Sequence, residues 1–191
     1  CSSDLYNERR KQLLDVVPNA GHLGVADLER DFNVTVVTQN VDNLHERAGS
    51  THVIHLHGEL TKVCSSRDPY NPHFVKELAP EEYEVKLGDK AGDGTQLRPF
   101  IVWFGESVPE IETAIRYVEQ ADIFVIIGTS LNVYPAAGLL NYVPRAAEVY
   151  LIDPKPVDTH VMRPIHVIQK GASEGVKELK ALLTVTQPPL P

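Results

Sequence analysis

Residues 34–58 read VTVVTQNVDNLHERAGSTHVIHLHG. A β-branched apolar run, Val34 to Thr38, gives way to the polar cluster Gln39, Asn40 and Asp42, and a second apolar run ends at His57-Gly58. The first run is short enough for a buried parallel strand. In the second, Val53, His55 and His57 share one face and Ile54 and Leu56 the other, the period of a strand. The polar piece between them fits a short helical crossover. A crossover between parallel strands brings their carboxyl ends to one edge of the sheet, where open α/β folds take their ligands. An amide, a carboxylate and an imidazole then share one crevice, which is the material of an acid/base site.

Outward from this stretch the chain alternates. Two helices are expected before it. The first is residues 3–17, with Arg9, Arg10 and Lys11 on a solvated face. The second begins at Asn19, which caps it, and runs through Phe32, with His22 a surface or half-buried side chain of its first turn. After it come a lobe of mixed character at 60–99, a strand at 100–104 and a helix from Pro109 through Glu119. A strand at 121–127, a helix opened by Pro135, and strands at 148–152 and 165–168 complete the alternation. Ser173 is expected to cap a last helix, 174–183, ahead of a loose Pro-rich tail, 184–191. This order predicts an α/β fold, a doubly wound, mostly parallel sheet with a small inserted lobe. Phe74, Leu78, Tyr83 and Leu87 are the side chains available to hold that lobe together.

Composition sets limits on function. A chain of 191 residues can bury a substantial core, and 42% hydrophobic with 23% charged residues is ordinary for a globular protein. A net charge of −8 argues against a nucleic-acid backbone as partner and suits basic peptides better. No apolar run reaches the roughly 20 residues of a membrane span and no signal peptide opens the sequence, so a cytoplasmic location is expected. Two cysteines, Cys1 and Cys64, make neither a disulfide framework nor, alone, a tetrahedral zinc site.

Taken singly, the polar residues leave alternatives open. Asn40-Val41-Asp42 suits a site or a plain strand-to-helix turn, and His57 suits a general base or a structural histidine. Asp153, at a strand end, suits a ribose hydroxyl or a turn with Pro154. Gly128-Thr129-Ser130 offers close backbone approach and two hydroxyls, a weak signal as a bare tripeptide.

Together the motifs resemble a family. Thr38-Gln39-Asn40-Val41-Asp42 and His55-Leu56-His57-Gly58 are followed by Arg98-Pro99, Val102-Trp103-Phe104-Gly105-Glu106, Gly128-Thr129-Ser130 and Lys170-Gly171-Ala172-Ser173. This order resembles the bacterial sirtuins, NAD-dependent protein lysine deacylases. The resemblance implies a Rossmann-like NAD-binding domain, 1–59 with 100–183, and a lobe, 60–99, in the place of the family's zinc-binding region. It implies that NAD is a consumed co-substrate, the acyl group passing from lysine to ADP-ribose as nicotinamide is released. Among the residues, it implies His57 as base on a ribose hydroxyl, with Asn40 and Asp42 also catalytic. Gln39, Asn40, Asp42, Gly128, Thr129, Ser130, Asp153, Gly171, Ala172 and Ser173 hold the cofactor. Val102, Trp103, Phe104, Gly105 and Glu106 receive the acyl-lysine peptide as an added strand, with Leu131, Asn132 and Val133 on its other side.

The sequence also departs from the family. Its two Cys pairs are replaced by the regions around Cys64-Ser65-Ser66 and Gly94-Thr95-Gln96-Leu97, so zinc is not expected. The family's opening strand and Gly-Ala-Gly-x-Ser phosphate loop do not occur in these residues, from which weakened NAD binding is expected. A catalytically silent NAD or ADP-ribose binding module is the alternative on that ground. A sheet short of one strand also favours pairing with another copy. Leu97-Arg98-Pro99 with Val102 to Glu106 resembles the branch that removes negatively charged acyl groups.

Overall fold

The structure, a computed structural model, describes residues 2–129, 136–156 and 163–186. Helix α1 (Ser2–Asp15) and helix α2 (Ala20–Asp27) precede strand β1 (Val36–Thr38), helix α3 (Leu44–Ala48) and strand β2 (Val53–His55). Strands β3 (Gly58–Ser65), β4 (Lys76–Glu77) and β5 (Leu97–Ile101) build the lobe. Helix α4 (Ile111–Val118), strand β6 (Ile123–Ile127), helix α5 (Ala136–Leu139), strands β7 (Glu148–Ile152) and β8 (His166–Ile168), and helix α6 (Ala172–Thr186) complete the chain.

The winding is the one expected, with helices on both faces of parallel strands. β1 pairs in parallel with β2, Val37 opposite Ile54, and β6, β7 and β8 form a parallel ladder with Ile127, Ile152 and Ile168 in register. Side chains alternate between two cores. On one face Ile54, Leu56, Ile126, Val149 and Leu151 pack with Ala114 and Val118 of α4. On the other, Tyr150, Ile152 and Ile168 pack with Val25 and Leu28 and with Val176, Leu179 and Leu183 of α6. Burying each large aliphatic contributes about 1.5–3 kcal/mol, which makes β7, with Val149 to Ile152 all buried, the anchor of the fold. The sheet is in two parts: among the described residues no ladder joins β1 to β6, although both strands feed both cores. Val36, Val37, Phe124 and Val125 are accordingly only half-buried.

The lobe is an antiparallel sheet in the order β4-β3-β5. It begins at Gly58, two residues before the expected boundary, because the chain passes from β2 into β3 through a two-residue turn. Its buried residues are Leu60, Val63, Cys64, Val85 and Ala91, whereas Leu87 is 92% exposed and takes no part in holding it. The fully buried Ser65 is a polar node where the family's zinc region stands. Its hydroxyl donates to Asp93 Oδ2 (2.7 Å), lies 2.9 Å from Thr95 Oγ1, and accepts from the Arg67 and Asp68 N–H groups, both at 3.0 Å. Hydrogen bonds from Ser65 and Thr95 hold the Asp93 carboxyl at about 2.

Several expectations are corrected. Arg10 is 3% exposed, not solvated: Nε donates to Tyr83 O (2.7 Å), Nη1 to Leu60 O (3.4 Å) and Nη2 to Asn7 Oδ1 (2.6 Å). Asn7 in turn exchanges hydrogen bonds with the Val85 backbone, so α1 is a strut against the lobe. Asn19 caps α2 as expected, and His22 Nδ1 returns the favour by accepting from Asn19 N, but the helix stops at Asp27 and tightens into a 3-10 turn, Leu28–Arg30. At the other end α6 starts at Ala172, since Gly171 O already accepts from Gly175 N (2.8 Å), so Ser173 lies inside the first turn and does not cap it. That helix also continues through Thr186, into the expected tail.

Candidate functional site

Catalytic expectations centre on the joint between the parallel strands and the lobe. The last ladder bond of β1 and β2 runs from Leu56 N to Thr38 O (2.9 Å), and His57 follows in the turn into β3. Its half-buried ring is fixed by one contact, Nδ1 to Gln39 O at 3.2 Å. A carbonyl only accepts, so Nδ1 carries the proton and Nε2 is left with a free lone pair, the tautomer a general base needs. The His57 carbonyl accepts from Val102 N at 3.0 Å. Gly58 makes this crossing possible: its φ is +84°, and a Cβ there would stand 2.1 Å from Phe100 O.

Beside it His55 braces the loop after β1. His55 is buried, with Nδ1 3.1 Å from Asn40 O and Nε2 2.6 Å from Glu46 Oε1. Thr38 Oγ1 accepts from Asn40 N (3.0 Å), so the Gln39-Asn40 backbone is held by the end of its own strand as well as by the two histidine rings. Half-buried Gln39 thus meets His57 through its carbonyl, and exposed Asn40 meets His55 through its own. Asp42 does not reach that ring: its Oδ1 accepts from Leu44 N (3.0 Å) at the start of α3. Behind it His45 is held below the usual imidazole range by burial and then by His22, whose ring lies 4.8 Å away.

The second set of expected residues follows the ends of β6, β7 and β8. Gly128 N donates to Ile152 O (3.0 Å) and Asp153 N to Ile168 O (3.3 Å), which keeps the strand ends level. Asp153 Oδ1 accepts from Lys155 N (2.8 Å), a local turn at the strand end. Ser130, Leu131, Asn132 and Val133 lie outside the described residues. Two buried polar atoms in these loops, Gln39 Nε2 and Thr129 Oγ1, have no hydrogen-bond partner. An orphaned buried polar group costs about 1–3 kcal/mol, and a bound ligand or an ordered water satisfies it. These donors and acceptors fit a nucleotide. For a metal there is no such fit: among the described residues no three His, Cys, Asp or Glu side chains gather, and Cys64 is buried with its thiol pushed up by desolvation.

The strand expected at 100–104 starts earlier and stops short, leaving Val102 to Phe104 outside it. β5 ends at Ile101, and after Val102 the chain folds into a turn in which Glu106 N donates to Trp103 O (2.9 Å) and Glu106 Oε2 accepts from Trp103 N (2.9 Å). Gly105, at φ +87°, allows the reversal. Phe104 stands fully exposed at its tip. The cause is Arg98, whose guanidinium grips both oxygens of Glu106 and draws it back over the strand end. That pairing holds the Glu106 carboxyl below and the Arg98 guanidinium above their usual ranges. Sequence reasoning used Arg98 only as part of a motif, and Glu46 not at all. Its readable signals were an Arg eight residues before a Glu across a strand end, and a Glu nine residues before a buried His.

Comparison with known proteins agrees with this geometry. The model of the Sir2 family matches residues 2–135. Over 180 residues the chain is 82% identical to a Bacteroides thetaiotaomicron protein named NAD-dependent protein deacylase, covering 94% of this chain and 77% of that one. A solved Sir2 homolog–NAD complex is similar at a TM-score of 0.78 and 36% identity, with 94% of this chain and 70% of that chain covered. A Sir2–p53 peptide–NAD+ complex is similar at a TM-score of 0.72 and 27% identity, with 92% and 74% covered.

Proposed function

Because this chain belongs to the Sir2 family, we propose that it is an NAD-dependent protein deacylase, transferring the acyl group of a modified lysine to ADP-ribose with release of nicotinamide. The observation that carries the reading is His57, held by Gln39 O in the tautomer of a base and bonded through its own carbonyl to Val102. NAD, when bound, supplies an electrophilic ribose carbon whose leaving group is nicotinamide. Gln39 and Asn40 hold its nicotinamide end, and Gly128, Thr129, Asp153 and Gly171-Ala172-Ser173 at the start of α6 hold the rest, with Ser130 beside them in sequence. His57 Nε2 takes a proton from a ribose hydroxyl, the role its free lone pair suits. Asp42 supports the site by shaping the turn into α3, and so acts one step removed from the chemistry.

The protein substrate is an acyl-lysine peptide lying along Val102 to Glu106, with Leu131, Asn132 and Val133 on its other side. Supporting this reading, Val102 N is tied to His57 O, so a lysine threaded past this segment is directed at the base. The acidic surface favours basic flanking sequence. The same reading assigns the enzyme to the cytoplasm, the 60–99 lobe to a zinc-free version of the family's small domain, and acetyl and succinyl groups to its range. Among the described residues no helix is long and apolar enough to cross a membrane.

The test is mass spectrometry of this chain with NAD and acetyl-, succinyl- and longer acyl-lysine peptides, beside His57→Ala. Free lysine peptide with acylated ADP-ribose, lost in the variant, is the expected result and names the acyl preference. Binding of ADP-ribose without turnover by a folded chain would overturn catalysis in favour of a silent binding module.

A further inference from the structure

One buried cation holds the turn that presents Trp103 and Phe104. Arg98 has a side chain only 10% exposed. Nη1 donates to Glu106 Oε1 (2.7 Å), and Nη2 donates to Glu106 Oε2 (3.0 Å) and Ile101 O (3.1 Å). Its guanidinium carbon lies 4.3 Å from the centroid of the Trp103 ring. Glu106 Oε2 closes the circuit by accepting from Trp103 N. A guanidinium fork on a carboxylate fixes direction as well as distance, and a cation against an indole face adds a second constraint. Arg98, Glu106 and Trp103 therefore form a closed ring over the strand end, and Val102 lies inside the span it sets.

We propose that Arg98 is the positioning residue of the peptide edge: by gripping Glu106 and stacking on Trp103 it fixes Val102 to Glu106 in the form that receives the acyl-lysine peptide. This rests on the reading of that segment as the peptide site. A lysine at 98 keeps the charge but has one ammonium, which cannot span both carboxylate oxygens and Ile101 O while lying flat on an indole. The His57 ring is held separately by Gln39 O, so loosening the turn spares the base. Peptide binding is the quantity that depends on Arg98.

Trp103 is the one tryptophan of the 191 residues, so tryptophan emission, excited to the red of tyrosine absorption, reports this turn alone. The experiment measures acrylamide quenching of Trp103, and KM and kcat for an acetyl-lysine peptide and for NAD, in the wild-type chain, Arg98→Lys and the gentler Glu106→Gln, with circular dichroism confirming the fold. For Arg98→Lys we expect quenching to rise about twofold and peptide KM about tenfold, with kcat within about threefold and NAD KM unchanged. Glu106→Gln moves quenching and peptide KM in the same direction. Unchanged quenching would show that Arg98 does not hold the turn; raised quenching with unchanged peptide KM would show that the turn does not set peptide affinity. A fall in kcat together with a rise in NAD KM would reduce Arg98 to general support and also overturn the proposal. Should the wild-type chain turn over no peptide, the functional reading fails separately. Peptide affinity is then titrated directly through Trp103 emission, and equal affinity in wild type and Arg98→Lys overturns the positioning role.

Discussion

The carbonyl of His57 accepts a hydrogen bond from the N–H of Val102 at 3.0 Å. The residue read as base and the first residue of the peptide edge are thus fixed to one another through backbone, with no side chain between them. Their separation is set by the crossing of β3 and β5, and side-chain substitution at either position leaves it in place.

Replacing His57 by alanine separates chemistry from folding. The ring makes one hydrogen bond, to Gln39 O, whose loss costs about 0.5–1.5 kcal/mol of stability. Turnover falls by about 100- to 10,000-fold, the usual contribution of a positioned base. Nicotinamide release measured beside a thermal melt checks both.

Gly58→Ala reverses that pattern. A Cβ would be driven to 2.1 Å from Phe100 O in a backbone at φ +84°, so the crossing must open. We expect a loss of about 3 kcal/mol or more, from strain and overpacking together, with deacylation lost although no reacting group is touched. A denaturant titration giving a midpoint within error of wild type would refute this.

Thr129→Val removes a buried hydroxyl that has no partner in the protein. Stability is expected to hold or rise slightly, while KM for NAD increases about 5- to 10-fold, the worth of one hydrogen bond. A fall in melting temperature with unchanged NAD affinity would mean the hydroxyl serves the fold.

Asp93 gives the lobe a dependence on acid. Its carboxyl titrates at about 2 in the folded protein, below the ordinary 3.8, because Ser65 and then Thr95 donate to the ionised form. A depressed folded value means the contribution is complete above the ordinary pKa and disappears as pH falls from about 4 towards 2. Melting temperatures of wild type and Asp93→Asn should therefore differ at neutral pH and converge across that window. Parallel curves would remove Asp93 from the account.

The sequence made some of this readable and hid the rest for physical reasons. The alternation in Val34 to Gly58 revealed two parallel strands and the delivery of Gln39 and His57 to one edge, because strand period and crossover geometry are local properties. It could not reveal which ring nitrogen of His57 carries the proton, since that depends on a carbonyl 18 residues away. Val102 to Phe104 has strand propensity, and the turn that replaces the strand is imposed by Arg98 from inside β5. Arg10 sits in a run of three basic residues and looked solvated, yet the carbonyls that bury it are supplied by Leu60 and Tyr83. In each failure a polar partner distant along the chain overrode a local preference.

The bonds that fasten α1 also bear on how the chain is made. Asn7 and Arg10 find their partners at Val85 and Tyr83, 78 and 73 residues further along. A ribosome adding about 5–20 residues per second needs on the order of 4–16 s to supply them. During that time Asn7 and Arg10 lack these acceptors, and a nascent chain halted before Tyr83 should be more open to protease at residues 2–15 than one that has released Val85. Full docking of α1 therefore waits on the lobe, although Arg47 and Leu60 offer it partners sooner.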